Sequence, residues 1–163
     1  MLDQKKNIIL IIIFFIILLS IISALIIEHA LGHQPCSLCL YERIPYFLSA
    51  LLIIKIFFFK KYEKITLFIL FLVFMISALL AFYHFGIEQG FFDESFVCNI
   101  ESQLKILSKE NLLKELNKNI VSCKDVTFRI LGLSLAAINT ILSLVLSIIF
   151  LKLFFNYGSS STS

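Results

Sequence analysis

Residues 8–27 read IILIIIFFIILLSIISALII, a run without a single Asp, Glu, Lys or Arg. At about 1.5 Å of rise per residue, a helix of this length covers roughly 30 Å, the thickness of a bilayer's hydrocarbon core. Three further apolar segments follow, at about 44–59, 65–85 and 130–151. The second is short and carries Lys55 in its last turn, from which the ammonium can snorkel to the interface. These segments predict an all-α polytopic membrane protein, a four-transmembrane-helix bundle forming a single domain over 1–157. Outer loops are expected at about 28–43 and 86–129, and a disordered Ser-rich tail at 158–163.

Composition agrees with that reading. Of the 163 residues, 60% are hydrophobic, and the mean hydropathy is +0.98. A soluble domain of this size must turn much of its surface to water and cannot hide so much apolar side chain. Charged residues are 15% of the chain and fall in clusters, as they do in a polytopic membrane protein. No basic patch is interleaved with exposed aromatics, so nucleic acid is excluded as a partner. Lys5 and Lys6 precede the first apolar run as they would in a secretory signal. The run is too long for a signal core and no small-x-small site follows it, so it is read as a retained span.

The lysines set the orientation. Lys5 and Lys6 lie before span one, Lys60, Lys61 and Lys64 fill the turn between spans two and three, and Lys152 ends span four. The long loop is also basic (Lys105, Lys109, Lys114, Lys118, Lys124 and Arg129), so orientation rests on the short connections, which agree. Both termini are expected on the cytoplasmic side of a bacterial inner membrane. Cys36, Cys39, Cys98 and Cys123 then all fall in the outer loops, facing the periplasm, where disulfides persist. An even count suits two disulfides, but four cysteines allow three pairings. Within the second loop, Glu101 to Ile120 carries Ile106, Lys109, Leu113, Leu116 and Ile120 on one face, with Leu112 beside it. This predicts a short amphipathic helix, lying on the membrane or packed on the bundle's outer end.

Pro35-Cys36-Ser37-Leu38-Cys39-Leu40-Tyr41-Glu42-Arg43 is the richest stretch chemically. A Cys-x-x-Cys spacing permits a small disulfide ring that opens and closes with little backbone movement. Cys39 stands at the entrance of span two, where free N–H groups and the helix dipole favour negative charge. Arg43, one turn on, is close enough to stabilise the same thiolate, and a stabilised thiolate is a good leaving group. Zinc would need a second tidy ligand pair, which Cys98 and Cys123 do not form, and covalent haem would need His where Leu40 stands; no metal is expected. An inert structural disulfide is the remaining competitor for this pair.

The string from Cys36 to Arg43 resembles the first periplasmic motif of the disulfide bond formation protein B (DsbB) family. Tyr83-His84-Phe85-Gly86-Ile87-Glu88-Gln89 is similar to that family's third-span terminus. Ser122-Cys123-Lys124-Asp125, followed by Phe128-Arg129-Ile130-Leu131-Gly132-Leu133-Ser134, is similar to its entry into span four. The similarity covers nearly the whole chain except the tail. It implies a protein-dithiol:quinone oxidoreductase that reoxidises a periplasmic DsbA-like thioredoxin-fold protein and passes the electrons to a membrane quinone, ubiquinone or menaquinone. It further implies two redox pairs, Cys36–Cys39 and Cys98–Cys123. Cys98 would form the mixed disulfide with the partner, Cys123 would attack Cys36, and Cys39 would pass electrons to the quinone held by Arg43.

Other polar groups have plainer readings beside functional ones. Glu28, His29 and His33 lie just outside span one, as interface polarity or as proton carriers. His84, beside Tyr83, is either an aromatic-belt neighbour or a further quinone contact. Gly132, Ala136, Ala137, Ser143 and Ser147 offer small surfaces for close helix packing, and Asn139 a packing hydrogen bond. Two relatives in chemistry compete: a DsbI-type paralogue with a dedicated partner, and a vitamin K epoxide reductase-like enzyme. In the latter the redox Cys-x-x-Cys follows the loop cysteines, whereas here it precedes them.

Overall fold

The computed structural model describes residues 2–93, 98, 122–124, 129–130 and 132–159. Four long helices carry the architecture: α1 (Leu2–His29), α2 (Ser37–Phe58), α3 (Glu63–Glu88) and α4 (Leu135–Ser159). A single 3-10 turn, Lys60–Tyr62, joins α2 to α3. All four are long and apolar enough to cross a membrane; the shortest spanning stretches have 22 residues, about 33 Å of helix. The chain is therefore an all-α, multi-pass membrane protein.

Apolar residues at helical spacing build the interior. Leu10, Ile13, Ile17 and Ile21 form one stripe of α1, facing Tyr46, Ile53 and Ile56 of α2. Leu67, Leu70 and Phe74 of α3 meet Leu146, Phe150 and Leu153 of α4, with the Phe74 and Phe150 rings stacked at 5.6 Å. The closest packing is between α3 and α4. Small residues permit it: Ser77 and Ser143 are fully buried and their hydroxyls lie 3.2 Å apart. The outward faces are apolar too, with Leu51 66% and Ile76 64% exposed. A surface of that kind suits hydrocarbon rather than water.

The helix ends depart from the apolar runs in instructive ways. Span two was expected from about 44, yet α2 begins at Ser37 because Cys36 caps it. Cys36 is extended (φ −70°, ψ 167°) and its Sγ accepts the Cys39 N–H at 3.2 Å. Pro45, lacking an N–H, is accommodated within the helix. Span four was expected from 130, yet α4 begins at Leu135. Arg129–Ile130 pairs with Leu133–Ser134 in a two-residue antiparallel hairpin, and Gly132 (φ +84°) makes the turn. The Ser134 hydroxyl then accepts the Ala137 N–H at 3.2 Å, so the helix starts under a serine cap. At its far end α4 continues to Ser159, past the 151 expected and into the stretch read as tail. The amphipathic helix expected over 101–120 lies outside the described residues.

At the end opposite the cysteines, Lys6 of α1 pairs with Glu63 of α3 at 2.6 Å. Lys55, expected to snorkel toward the interface, donates from Nζ to Thr66 Oγ1 near the start of α3 at 3.1 Å.

Candidate functional site

The cap on α2 decides how the first cysteine pair is presented. Cys36 lies on the N-cap and is buried, and Cys39 lies in the first turn; both are free thiols. The orphan N–H groups of a helix start point toward a capping atom, and here that atom is Cys36 Sγ. A hydrogen bond from Cys39 holds the Cys36 thiol below its ordinary pKa, against burial and the nearby Glu42 and Glu88 charges. The sequence placed the stabilised thiolate at Cys39, whereas the geometry puts the acceptor sulfur on Cys36.

Opposite the pair stands the last turn of α3. His84 Nε2 lies 3.5 Å from Cys36 Sγ, and His84 Nδ1 lies 2.7 Å from Glu42 Oε1. A carboxylate oxygen only accepts, so the proton resides on Nδ1 and Nε2 faces the sulfur. Glu42 Oε2 accepts from Asn139 Nδ2 at 2.6 Å, and Asn139 Oδ1 accepts from the Tyr46 hydroxyl. One buried carboxylate thus ties α2 to α3 and α4. Glu88, one turn beyond His84, places Oε1 3.8 Å from His84 Nε2.

The second cysteine pair is closed, with Cys98 and Cys123 joined by a disulfide whose Cα atoms lie 5.5 Å apart. Both are buried in one cluster with Cys36, Leu38 and Ile87, against which Cys39, Leu80 and Tyr83 pack. A disulfide and a dithiol therefore share one small apolar compartment. The cap before α2 fixes the dithiol's place in it.

A cavity of about 350 Å³ opens beside this compartment. Ala24 and Ile27 of α1, Cys39 and Arg43 of α2, His84 of α3 and Leu142 of α4 are among its walls, as is Cys123. Arg43 Nη1 pairs with Glu28 Oε2 of α1. The guanidinium expected to serve Cys39 thus takes a carboxylate partner at the cavity wall.

The structure brings together Cys36, Cys39, Cys98, Cys123, Arg43 and His84, all the residues singled out for redox chemistry or quinone contact. His33 also lines the cavity, but His29 does not. It sits on the exposed end of α1, with Nδ1 3.1 Å from the Leu25 carbonyl. Sequence reasoning missed Glu42 as the partner of His84; Asn139, read as a packing hydrogen bond within the bundle, makes that bond to Glu42 and Tyr46. The signal for Glu42 was its place one turn after Cys39, a carboxylate in the first turns of a spanning helix. The signal for Glu88 was its i,i+4 spacing from His84.

A family model described as disulfide bond formation protein DsbB matches residues 6–153. An uncharacterized protein of Rickettsia prowazekii (strain Madrid E) is 30% identical over 146 residues, which cover 87% of this chain and 83% of that protein. No solved structure matches.

Proposed function

The chain belongs to the disulfide bond formation protein DsbB family, and from that premise we propose that it reoxidises a periplasmic DsbA-like thioredoxin-fold protein and passes the electrons to a membrane quinone. Membership itself implies a disulfide-generating oxidoreductase in general. The observation that carries the finer reading is the juxtaposition of a dithiol, Cys36 and Cys39, with the Cys98–Cys123 disulfide at the wall of a cavity.

In the proposed cycle a partner thiolate attacks Cys98, and Cys123 leaves as a thiolate. The partner's second thiol then resolves that mixed disulfide, so the partner is oxidised and Cys98 and Cys123 are reduced. Cys123 attacks Cys36 of an oxidised Cys36–Cys39 pair, Cys39 leaves, and Cys98 displaces Cys36 to restore the Cys98–Cys123 bond. The product is the arrangement described above, one closed pair and one open pair. Exchange of this kind needs an in-line thiolate and a leaving sulfur of low basicity. The Cys36 cap and the hydrogen bond from Cys39 supply the second condition in the step where Cys98 displaces Cys36. His84, its ring fixed by Glu42, offers Nε2 to hold or return the Cys36 proton.

The cavity suits a quinone ring. Its volume of about 350 Å³ falls within the roughly 300–1,000 Å³ of small-molecule sites. Ala24, Ile27 and Leu142 give apolar walls, and Arg43 gives a donor for a ring carbonyl. When bound, a quinone supplies the acceptor for the two electrons and two protons released as the Cys36–Cys39 bond closes. The lysine distribution supports cytoplasmic termini and periplasmic cysteines in the inner membrane.

The test is loss of quinone absorbance on adding a reduced thioredoxin-fold oxidase to the purified protein with a short-chain quinone. Turnover is expected in the parent chain and its abolition in Cys39→Ser; turnover unchanged in Cys39→Ser overturns the electron exit.

A further inference from the structure

Cys36, Cys39 and His84 were never a ligand set by sequence spacing, because the histidine comes 48 residues after the first cysteine. The fold gathers them. Cys36 Sγ, Cys39 Sγ and a ring nitrogen of His84 all lie within 4.8 Å of one another. With Zn–S bonds of about 2.3 Å and Zn–N bonds of about 2.0 Å, tetrahedral angles put sulfur and nitrogen ligands roughly 3.6 Å apart. Cys36 Sγ and His84 Nε2 are 3.5 Å apart.

Two more features go beyond simple proximity. The other ring nitrogen of His84 is held by the Glu42 carboxylate at 2.7 Å. That is the outer partner which fixes the tautomer of a metal-bound histidine and raises its basicity. Glu88 approaches the ring nitrogen that faces Cys36, from the next turn of α3. Its side chain is 6% exposed, Oε1 is 3.8 Å from His84 Nε2, and Oε2 is buried with no hydrogen-bond partner among the described residues. A buried carboxylate oxygen without a donor is costly, and a cation would satisfy it.

We propose that the juxtaposed Cys36, Cys39 and His84 form a binding site for a thiophilic divalent cation of the zinc class, with Glu88 beside its histidine, and that the site exists only while the pair is reduced. Binding displaces two thiol protons to solvent and changes no oxidation state. Closing the Cys36–Cys39 disulfide uses up both sulfur ligands and releases the ion. In the cycle proposed above the same sulfurs carry the electrons, so an ion here stalls turnover. That consequence rests on the proposed function, whereas the binding does not and is read without turnover.

The experiment uses the full chain in detergent with Cys98→Ser and Cys123→Ser, so that only two thiols remain. Zinc is titrated against a chromophoric chelator, first with the pair reduced by a phosphine and then with it oxidised. One zinc per chain is expected in the reduced form and none in the oxidised form. Cobalt in place of zinc is expected to give a thiolate-to-metal charge-transfer band. His84→Ala and Glu42→Gln are each expected to weaken binding at least about tenfold, the usual effect of losing a ligand or its outer partner. Stoichiometric zinc on the oxidised form, or unchanged affinity in His84→Ala, overturns the site. The reduced and oxidised arms use the same polypeptide, so the comparison stands even where a variant folds poorly.

Discussion

His84 Nδ1 lies 2.7 Å from Glu42 Oε1, while the other oxygen of that carboxylate takes Asn139 Nδ2 at 2.6 Å. Three helices meet on one side chain, which is 7% exposed. A carboxylate accepts from both neighbours at once, and an amide in its place must turn an N–H toward one of them.

Glu42→Gln is therefore expected to lose stability and to free the His84 ring. The cost is on the order of 1–3 kcal/mol, the penalty for one mismatched buried polar contact. Asn139→Ala, which strips a donor from Glu42 and an acceptor from the Tyr46 hydroxyl, is expected to cost a similar amount. Thermal unfolding in detergent measures both. Melting unchanged in the two variants shows that the network does not hold the helices together.

Among the described residues outside the spanning helices, Cys36 carries a pH effect that follows directly from its surroundings. Its thiol is lowered chiefly by the hydrogen bond from Cys39, so its thiolate persists below the ordinary cysteine value of about 8.5. A lowered group stabilises the fold above its unfolded value, and that contribution fades as pH falls through the folded value. With Cys98→Ser and Cys123→Ser and a chelator present, the alkylation rate of Cys36 is expected to have its midpoint below the free-thiol value. Cys39→Ala is expected to move that midpoint upward. A midpoint at or above the free-thiol value in the parent contradicts the assignment.

Gly86 gives a structural prediction. A Cβ built there meets the Phe92 ring at 2.2 Å, and Phe92 packs on Tyr83 with centroids 5.5 Å apart. Gly86→Ala is expected to push Phe92 off Tyr83 and cost about 1 kcal/mol, the worth of an aromatic pair. The same change in a Phe92→Ala background is expected to be neutral or mildly stabilising, because alanine is the better helix former. Additive losses in the double variant would rule out the clash as the cause.

Much of this was legible in the sequence, for physical reasons that differ by element. The spans declared themselves because lipid demands long uncharged runs, and 8–27 meets that demand plainly. The start of α2 did not, because Ser37, Glu42 and Arg43 are polar while its cap is a cysteine sulfur, which no hydropathy rule registers. The start of α4 was hidden by a hairpin of apolar residues around Gly132. The cysteines and Arg43 stood out through spacing. The contact between His84 and Glu42 spans 42 positions and arises from the packing of α2 on α3, so spacing carries no trace of it.

The Lys6–Glu63 contact joins the first turns of α1 and α3, so these two helices point the same way. Both longer crossings, 30–36 and 89–134, must then emerge from one pole of the molecule, while the lysine-rich turn closes the other. Sulfur from distant parts of the chain converges there, with Cys36, Cys39, Cys98 and Cys123 gathered in one cluster.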